Sequence, residues 1–315
     1  MRTGVVVVTY NSAGVIGPCL DSCAQLPVVV VDNASEDDTC REVRERSRVK
    51  LIANPGNRGF AGAVNQGVAA LDTELILLLN PDVMLETSVA ALETACSLPN
   101  TAAAGGQLRN ERGQAQTGFT LRRFPTPWTL IFETLGINRL APANPVNRRY
   151  RCLDADLSRD QEAEQPPGAL LMFRRDVWQR LGGFDTQFAP VWFEDVDFCR
   201  RVRGLGMKIQ YVAGVTARHQ GGHSIAKLSW ACRELCWYAS LLKYASKHYR
   251  PYASRGVSAA VVLASTFRAG LAMVRERSFR PIPVYARIAR LAGRSCLSGR
   301  VGEIQCWTGL KKRVV

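Results

Sequence analysis

The stretch GVVVVTYNS, residues 4–12, decides the fold. Four consecutive valines with no polar residue among them suit a strand covered on both faces, and the run stops at Thr9, Tyr10, Asn11 and Ser12. The pattern returns in VVVVDNAS, residues 28–35, and in LILLLNPD, residues 75–82, with a weaker apolar run at Lys50–Ile52. Helix-like stretches lie between them at Ala13–Leu26, Ser35–Ser47 and Gly59–Leu71. Strand alternating with helix predicts βαβ units, an α/β fold and a mostly parallel sheet. Ligands of such sheets bind at the carboxyl ends of the strands. Three of the four strands end there in polar clusters: Thr9–Ser12, Asp32–Ser35 and Asn80–Asp82.

Outward from this core the pattern loosens. Residues 99–166 are richer in Pro, Asn and Arg, and two patches, Ala141–Asn147 and Ser158–Pro167, read as loops. Order returns at Gly168–Phe173, followed by a helix-like Arg175–Leu181 that ends at Gly182 and Gly183. Phe188–Arg203 carries Glu194, Asp195 and Asp197. Beyond His219–Ser224 the chain reads as helical and basic, at Ile225–Tyr249, Gly256–Val274 and Tyr285–Ala292. Gly256–Val274 is apolar over 19 residues but contains Arg268. Placing that cation in hydrocarbon costs about 2.5–3.5 kcal/mol, so a surface-lying or core helix is expected rather than a span.

The formal net charge of +14 is uneven. Residues 200–315 hold 22 Lys/Arg against three acids, whereas residues 1–199 hold 19 against 24. A basic C-terminal segment suits an anionic membrane surface, a phosphorylated substrate or nucleic acid. Nucleic-acid binding is disfavoured, because there is no aromatic–basic strand platform or helix-turn-helix and the 194–197 acids would repel phosphates. The ten cysteines include no CxxC, and the 19/23 and 232/236 pairs fit one helix face better than a zinc site. With an N-terminus that enters a strand at once and has no basic n-region, the expectation is free thiols in a reducing cytoplasm.

Each motif has a chemical reading and a structural one. Asp32 and Asn33 offer a carboxylate and an amide to a nucleoside, while Ser35 would also cap a helix starting at Glu36. NPGNRGFAG, residues 54–62, opens a helix, lets a phosphate approach through Asn57, Arg58 and Gly59, and is also a tight turn. Asn80 and Asp82 flank a proline at a strand end, where a carboxylate can hold a hard divalent cation or simply close a turn. Three acids in four residues at 194–197 need a proton, a metal or a cation to coexist. They also suit a helix N-terminus with Arg200 and Arg201 as partners. His219, in HQGGHS, is an imidazole ligand or a polar turn residue.

Taken in order, these motifs resemble the family 2 glycosyltransferases of the GT-A fold, over about residues 4–224, and within them the rhamnosyltransferase branch acting on lipid-linked or polysaccharide acceptors. The match rests on residues 5–12, 28–39, 54–67, 77–83, 167–185, 193–201 and 219–224. The resemblance implies a catalytic domain over 1–224, its nucleotide-sugar half about 1–100 and its acceptor half about 101–224, followed by a basic helical region over 225–315. It implies that Thr9, Tyr10, Asn11, Asp32, Asn33, Asn57, Arg58, Gly59, Asn65 and Asn80 bind the nucleotide-sugar donor. Asp82 matches the last position of the DxD metal motif, with Asn80 replacing its first carboxylate, and with His219 would hold Mg²⁺ or Mn²⁺. Asp195 matches the catalytic base, with Glu194 beside it and Gly168, Trp192 and Phe193 toward the acceptor.

The implied reaction is a single inverting displacement, most simply of L-rhamnose from dTDP-rhamnose, in cell-envelope polysaccharide synthesis. UDP-galactofuranose, UDP-hexose or GDP-mannose are the alternative donors. The basic C-terminal segment, with Lys243, Lys247, Arg250, Arg255, Arg268, Arg275, Arg277 and Arg280 beside apolar stretches, suits a polyprenyl-diphosphate acceptor. Peripheral attachment at the cytoplasmic face of the membrane is therefore expected, and its helices are a candidate homodimer contact.

Overall fold

The computed structural model describes residues 2–221, 227–299 and 301–302. His223 and Ser224 of the HQGGHS motif lie outside the described residues. Two compact units are present. The first comprises residues 1–124, 149–186 and 194–227, and the second 125–148, 187–193 and 228–315. The expected boundary at 224/225 falls near the passage from the first unit to the second at 227/228, and two internal segments also belong to the second unit. Trp192 and Phe193 are in the second unit, and Glu194 and Asp195 in the first.

The first unit is built on one sheet. Its strands are β1 (Thr3–Thr9), β2 (Val28–Asp32), β3 (Val49–Ala53), β4 (Leu75–Leu79), β5 (Val83–Leu85), β6 (Thr101–Arg109), β7 (Gln161–Ala163), β8 (Leu170–Arg174) and β9 (Lys208–His219). They run in the order β3-β2-β1-β4-β8-β6-β9-β5, with β7 also paired to β9. The β3-β2-β1-β4 half is parallel, as the sequence pattern requires, and β8 joins it antiparallel to β4.

Alternation along the valine and leucine runs sorts the core into two layers. Val5, Val7, Leu75 and Leu77 face α1 (Ile16–Ser22), while Val6, Val8, Ile76 and Leu78 face α3 (Gly59–Ala69). Between those two helices in sequence lies α2 (Thr39–Arg44). Each of these fully buried side chains contributes roughly 1.5–3 kcal/mol of transfer free energy.

Several sequence expectations are corrected. The stretch read as loose contains β6, whose first eight residues are buried, and β7 lies within the Ser158–Pro167 patch read as a loop. β6 reads TAAAGGQLR, a composition poor in strand formers because neighbours come too close for larger side chains. A β-carbon on Gly105 would overlap Pro166, and one on Gly106 would sit 2.6 Å from the Val215 carbonyl oxygen. Likewise, the Ala141–Asn147 patch runs into a helix at Pro145–Tyr150. The first two predicted helices shrink to α1 and α2. Ser35 caps neither, since it is bound to Asp32, and the residue before α2 is Asp38. Downstream are α4 (Ala90–Ser97), α5 (Arg175–Leu181), ended by left-handed Gly182 as expected, and α6 (Glu194–Gly204).

The second unit is helical. Its long members are α7 (Trp230–His248), α8 (Pro251–Glu276) and α9 (Pro281–Ser298), with a shorter helix at Pro127–Thr134. Start signals are explicit: Ser229 accepts from the Cys232 N–H, prolines open α8 and α9, and Thr126 and Thr129 form a capping box. Left-handed Gly299 closes α9. Tyr238, Leu241 and Tyr244 of α7, Val257 and Val261 of α8, and Ile288 and Leu291 of α9 are buried.

Candidate functional site

The parallel register brings the strand ends together. Thr9 pairs with Asp32 across β1 and β2, and Val7 with Leu79 across β1 and β4, so the polar clusters after all three strands gather at one edge. Asp32 is buried, and Thr9 and the Ser35 hydroxyl both donate to its Oδ1, Thr9 at 2.7 Å. Its Oδ2 accepts from the Ser35 N–H at 2.8 Å. The left-handed Asn11 is tied to the same turn. Its N–H donates to Ser35 Oγ at 2.8 Å, and its Oδ1 accepts from the Glu36 N–H at 2.8 Å. Tyr10, partly exposed, sits between Thr9 and Asn11 at this rim.

The donor loop is held from beneath. Asn33 Oδ1 accepts from the Arg58 N–H at 3.3 Å, and its Nδ2 donates to the Gly59 carbonyl at 3.2 Å. Asn57 Oδ1 accepts from the Gly59 N–H at 2.8 Å, and Gly59 has the positive φ of 76° that this turn needs. Arg58 is thereby fixed at its backbone and exposed at its guanidinium. Asn33 thus positions the turn. Asn65 is likewise bonded to backbone: its Oδ1 accepts from the Phe184 N–H and its Nδ2 donates to the Phe184 carbonyl, both at 2.9 Å.

At the end of β4, Asp82 meets His219, the last residue of β9, because β5 pairs antiparallel with β9 and sets Val83 opposite His219. Asp82 Oδ1 lies 3.7 Å from His219 Nε2, both side chains being buried, and Asp82 Oδ2 accepts from the Gly221 N–H at 3.1 Å. Gln116 Oε1 lies 2.9 Å from His219 Nδ1, and Gln116 Nε2 donates to the His219 carbonyl at 2.8 Å. Because an amide oxygen only accepts, Nδ1 carries the proton and the Nε2 lone pair faces Asp82. The imidazole also stacks on Phe119 at 5.2 Å. Burial holds its pKa below the ordinary 6.5, against the opposing charge of Asp82, which favours the neutral ring a metal requires.

Among the described residues no set of three or more His, Cys, Asp or Glu side chains forms a metal cluster. The donor set here is an imidazole lone pair and a carboxylate directed at each other. It fits a divalent cation whose remaining positions are filled by oxygens of a ligand. Gln116 and Phe119 carry no motif in the sequence, and both lie in the 99–166 stretch whose pattern is loose. The one available signal is the polar pair Gln114 and Gln116 soon after β6.

The acids of α6 have separate tasks. Asp197 is fully buried and its Oδ2 accepts from Arg201 Nε at 2.7 Å. Arg201 also donates at 2.8 Å to the carbonyls of Leu181 and Gly183, so this pair fastens α6 to the end of α5. Glu194 is 4% exposed. Asp195 is half-buried, and its Oδ2 accepts from the Gly168 N–H at 2.9 Å while its Oδ1 accepts from the Val196 N–H at 2.8 Å. One residue beyond Gly168, the Ala169 carbonyl accepts from the Asn80 N–H at 3.1 Å. The carboxylate of Asp195 is therefore joined through Gly168 and Ala169 to the Asn80–Asp82 turn. A β-carbon on Gly168 would sit 3.3 Å from Asp195 Cβ, which explains glycine there.

In the second unit, Trp192 and Phe193 have positive φ values of 79° and 72°, uncommon for aromatic residues. Their rings pack on α7: Phe193 on Trp237 at 5.4 Å and on Tyr244 at 5.1 Å, and Trp192 edge-on to Trp237 at 5.6 Å. Phe193 is 6% exposed and packs within this unit.

Comparison with known proteins gives the family and the fold. The model of the family described as "Glycosyltransferase like family 2" matches residues 2–236. N-acetylglucosaminyl-diphospho-decaprenol L-rhamnosyltransferase of Mycobacterium tuberculosis is 26% identical over 246 residues, 71% of this chain and 77% of its own length. The low-salt glycan biosynthesis hexosyltransferase Agl10 of Haloferax volcanii is 24% identical over 196 residues, 61% of this chain and 58% of its own length. Among solved structures, the mannosyltransferase PcManGT from Pyrobaculum calidifontis, in complex with GDP-Man and Mn²⁺, superposes with a TM-score of 0.52 at 17% identity. That match covers 95% of this chain and 88% of the other. TarS 1–349 of S. aureus gives a TM-score of 0.50 at 15% identity, covering 95% and 92%. These likenesses show the fold, which is GT-A, and with a family match over most of its length the chain belongs to the family 2-like glycosyltransferases.

Proposed function

We propose that this glycosyltransferase moves L-rhamnose from dTDP-rhamnose to a hydroxyl of a lipid-linked, polyprenyl-diphospho or polysaccharide acceptor, with inversion, in cell-envelope glycan synthesis. The observation that carries the chemistry is Asp195. Of the three acids in its turn it is the one that is half-exposed, and two backbone N–H groups orient it beside the Asn80–Asp82 turn. A single such carboxylate suits one displacement. Asp195 takes the proton of the acceptor hydroxyl as that oxygen attacks the anomeric carbon and the nucleoside diphosphate leaves. Glu194 stands beside it, and Gly168 lies toward the acceptor.

On the donor side, Asp32 would accept from a ribose hydroxyl or base N–H, with Thr9, Tyr10 and Asn11 forming the rim. Arg58, at the start of α3 with Asn57 and Gly59, would meet the diphosphate. Asp82 and His219 would hold Mg²⁺ or Mn²⁺, whose charge stabilises the leaving diphosphate. Asn80, in place of a second carboxylate, leaves that site lightly charged. The nucleotide-sugar half is then about residues 1–100 and the acceptor half about 101–224, with the basic helical region after 225 at the cytoplasmic face of the membrane. The choice of rhamnose rests on the Mycobacterium tuberculosis relative, an N-acetylglucosaminyl-diphospho-decaprenol L-rhamnosyltransferase.

The test offers purified protein dTDP-rhamnose, UDP-galactofuranose, UDP-glucose, UDP-GlcNAc and GDP-mannose. Each is given with Mg²⁺ or Mn²⁺, with and without a polyprenyl-diphospho-sugar. Metal-dependent turnover of dTDP-rhamnose is expected. Preference for another donor would retain the family and overturn the sugar.

A further inference from the structure

We infer that α8 is a membrane-docking helix. It lies in the plane of an anionic leaflet with the face through Leu263, Phe267, Leu271 and Val274 sunk among the acyl chains, and it does not span. This deepens the reading above, since a lipid-linked acceptor is presented at such a surface. It rests on that reading only for its purpose, not for its evidence.

The residues at 263, 267, 271 and 274 recur at helical spacing and share one face. They are 64%, 72%, 58% and 72% exposed, and Tyr252, on the same face two turns upstream of residue 259, is 71% exposed. The other exposed positions on this face, 256, 259, 266 and 270, are Gly, Ala, Thr and Gly. From Tyr252 to Val274 the exposed positions thus carry a single charge, Arg255 at the upstream edge of this face, in a protein with 22% charged residues. A solvated helix face is normally polar, and an apolar strip of this length marks an interaction surface.

The opposite face is occupied. Val257 and Val261 are fully buried, Ser258 Oγ donates to Ser295 Oγ of α9 at 3.1 Å, and Arg268 donates to the Thr134 carbonyl at 3.1 Å. The helix is long and apolar enough to cross a membrane by length and composition. But one side of it is committed to protein and carries a cation and three buried serines, Ser254, Ser258 and Ser265. Spanning would strip that packing, whereas lying flat keeps it and buries only the open side.

Charge selects the occupant. The helical unit contains 18 Lys/Arg and four Asp/Glu, while the rest of the chain holds 23 of each, so the whole excess of +14 belongs to this unit. Of the 12 large apolar side chains exposed among the described residues, 11 also belong to it. Exposed Arg255, Arg275, Arg277 and Arg280 border the apolar face. A second copy of this unit would bring like charges together, whereas anionic lipid headgroups neutralise them.

The test floats the full chain with vesicles of phosphatidylcholine alone or with about a third phosphatidylglycerol, where each basic residue near the surface adds about 1 kcal/mol. Binding to the anionic vesicles is expected, lost at least about tenfold in the double variant F267Q/L271Q and comparably weakened in R275E/R277E. Alkaline carbonate is expected to release the wild type, as it does not release a spanning protein. Equal binding by F267Q/L271Q, retention after carbonate, or a wild type that stays in solution would each overturn the proposal. So would a wild-type dimer that F267Q/L271Q renders monomeric by sedimentation without changing flotation, since a second copy would then cover the face. Donor turnover with a short, water-soluble acceptor separates this from the transferase reading. F267Q/L271Q retains wild-type turnover there, whereas failure of the transferase reading removes turnover from the wild type and leaves flotation intact.

Discussion

Gln116 holds His219 at two points, through Nδ1 at 2.9 Å and through the main-chain carbonyl at 2.8 Å, and so turns Nε2 toward Asp82. A ligand imidazole is commonly oriented this way by a group behind it. Gln116→Leu removes both contacts while leaving Asp82 and His219 in place. Metal affinity, read by calorimetry with Mn²⁺ in the presence of a nucleoside diphosphate, is expected to fall about 10–100-fold. Unchanged affinity would show that Phe119 stacking alone fixes the ring.

Asp195 and Asp197 lie two residues apart and are expected to respond oppositely. Asp195→Asn keeps the shape and removes the base, so turnover is expected to fall by about two to four orders of magnitude with donor binding nearly unchanged. Normal turnover would sink the base assignment. Asp197→Asn breaks a buried pair with Arg201, which costs about 3–5 kcal/mol of stability. Thermal denaturation of both variants tests the division: a large loss for Asp197→Asn and a smaller one for Asp195→Asn, which gives up one of its two backbone N–H contacts.

Gly168→Ala probes the same carboxylate from its other side. The new methyl would lie 3.3 Å from Asp195 Cβ and 3.4 Å from Oδ2, so the carboxylate must move by a few tenths of an ångström. Positioning is sensitive on that scale, and a loss of about tenfold or more in kcat with little change in donor KM is expected. A KM effect alone would place Gly168 with the donor instead.

The parallel half of the sheet was legible because valine and leucine runs have one plausible environment, and register then forces Thr9, Asp32 and Asp82 to one edge. Asp195 was legible as a member of an acidic triplet, but not its separation from Asp197, which depends on Arg201 reaching Leu181 and Gly183. The supporting roles of Asn33 and Asn65 were illegible, since an amide that binds backbone and one that binds a ligand look alike in sequence. Gln116 depends on a contact across 103 residues, which no local pattern encodes. β6 was hidden because its small residues answer to neighbours rather than to strand propensity.

The thiols give a test of burial that is independent of activity. None of the nine described cysteines is in a disulfide. Burial pushes the Cys23 and Cys96 thiols up to about 12 and, with the Asp32 charge, Cys40 up to about 11. Cys19 and Cys199 are raised as well, again chiefly by burial. At about pH 8 an ordinary cysteine is substantially thiolate and alkylates readily. Native protein treated with iodoacetamide and mapped by mass spectrometry is therefore expected to remain unmodified at Cys19, Cys23, Cys96 and Cys199, and to react fully there once unfolded. Rapid native labelling of Cys19, whose Sγ donates to the Asn80 carbonyl at 3.4 Å, would mean that the Asn80–Asp82 turn opens in solution.

Gly106 offers the sharpest test of why β6 looks unlike a strand. Its missing side chain is what lets β9 approach: a β-carbon would meet the Val215 carbonyl oxygen at 2.6 Å and Leu170 Cδ2 at 2.8 Å. Valine would be the better strand former by propensity alone. If propensity governed this position, Gly106→Val would stabilise the fold. If packing governs it, the added volume must push β9 away from β6, at a cost of about 1–3 kcal/mol. Because β9 ends at His219, the displacement would also move His219 relative to Asp82. Chemical denaturation and Mn²⁺ affinity are therefore expected to fall together in Gly106→Val, and a variant more stable than the wild type would show that the small residues of β6 serve some other end.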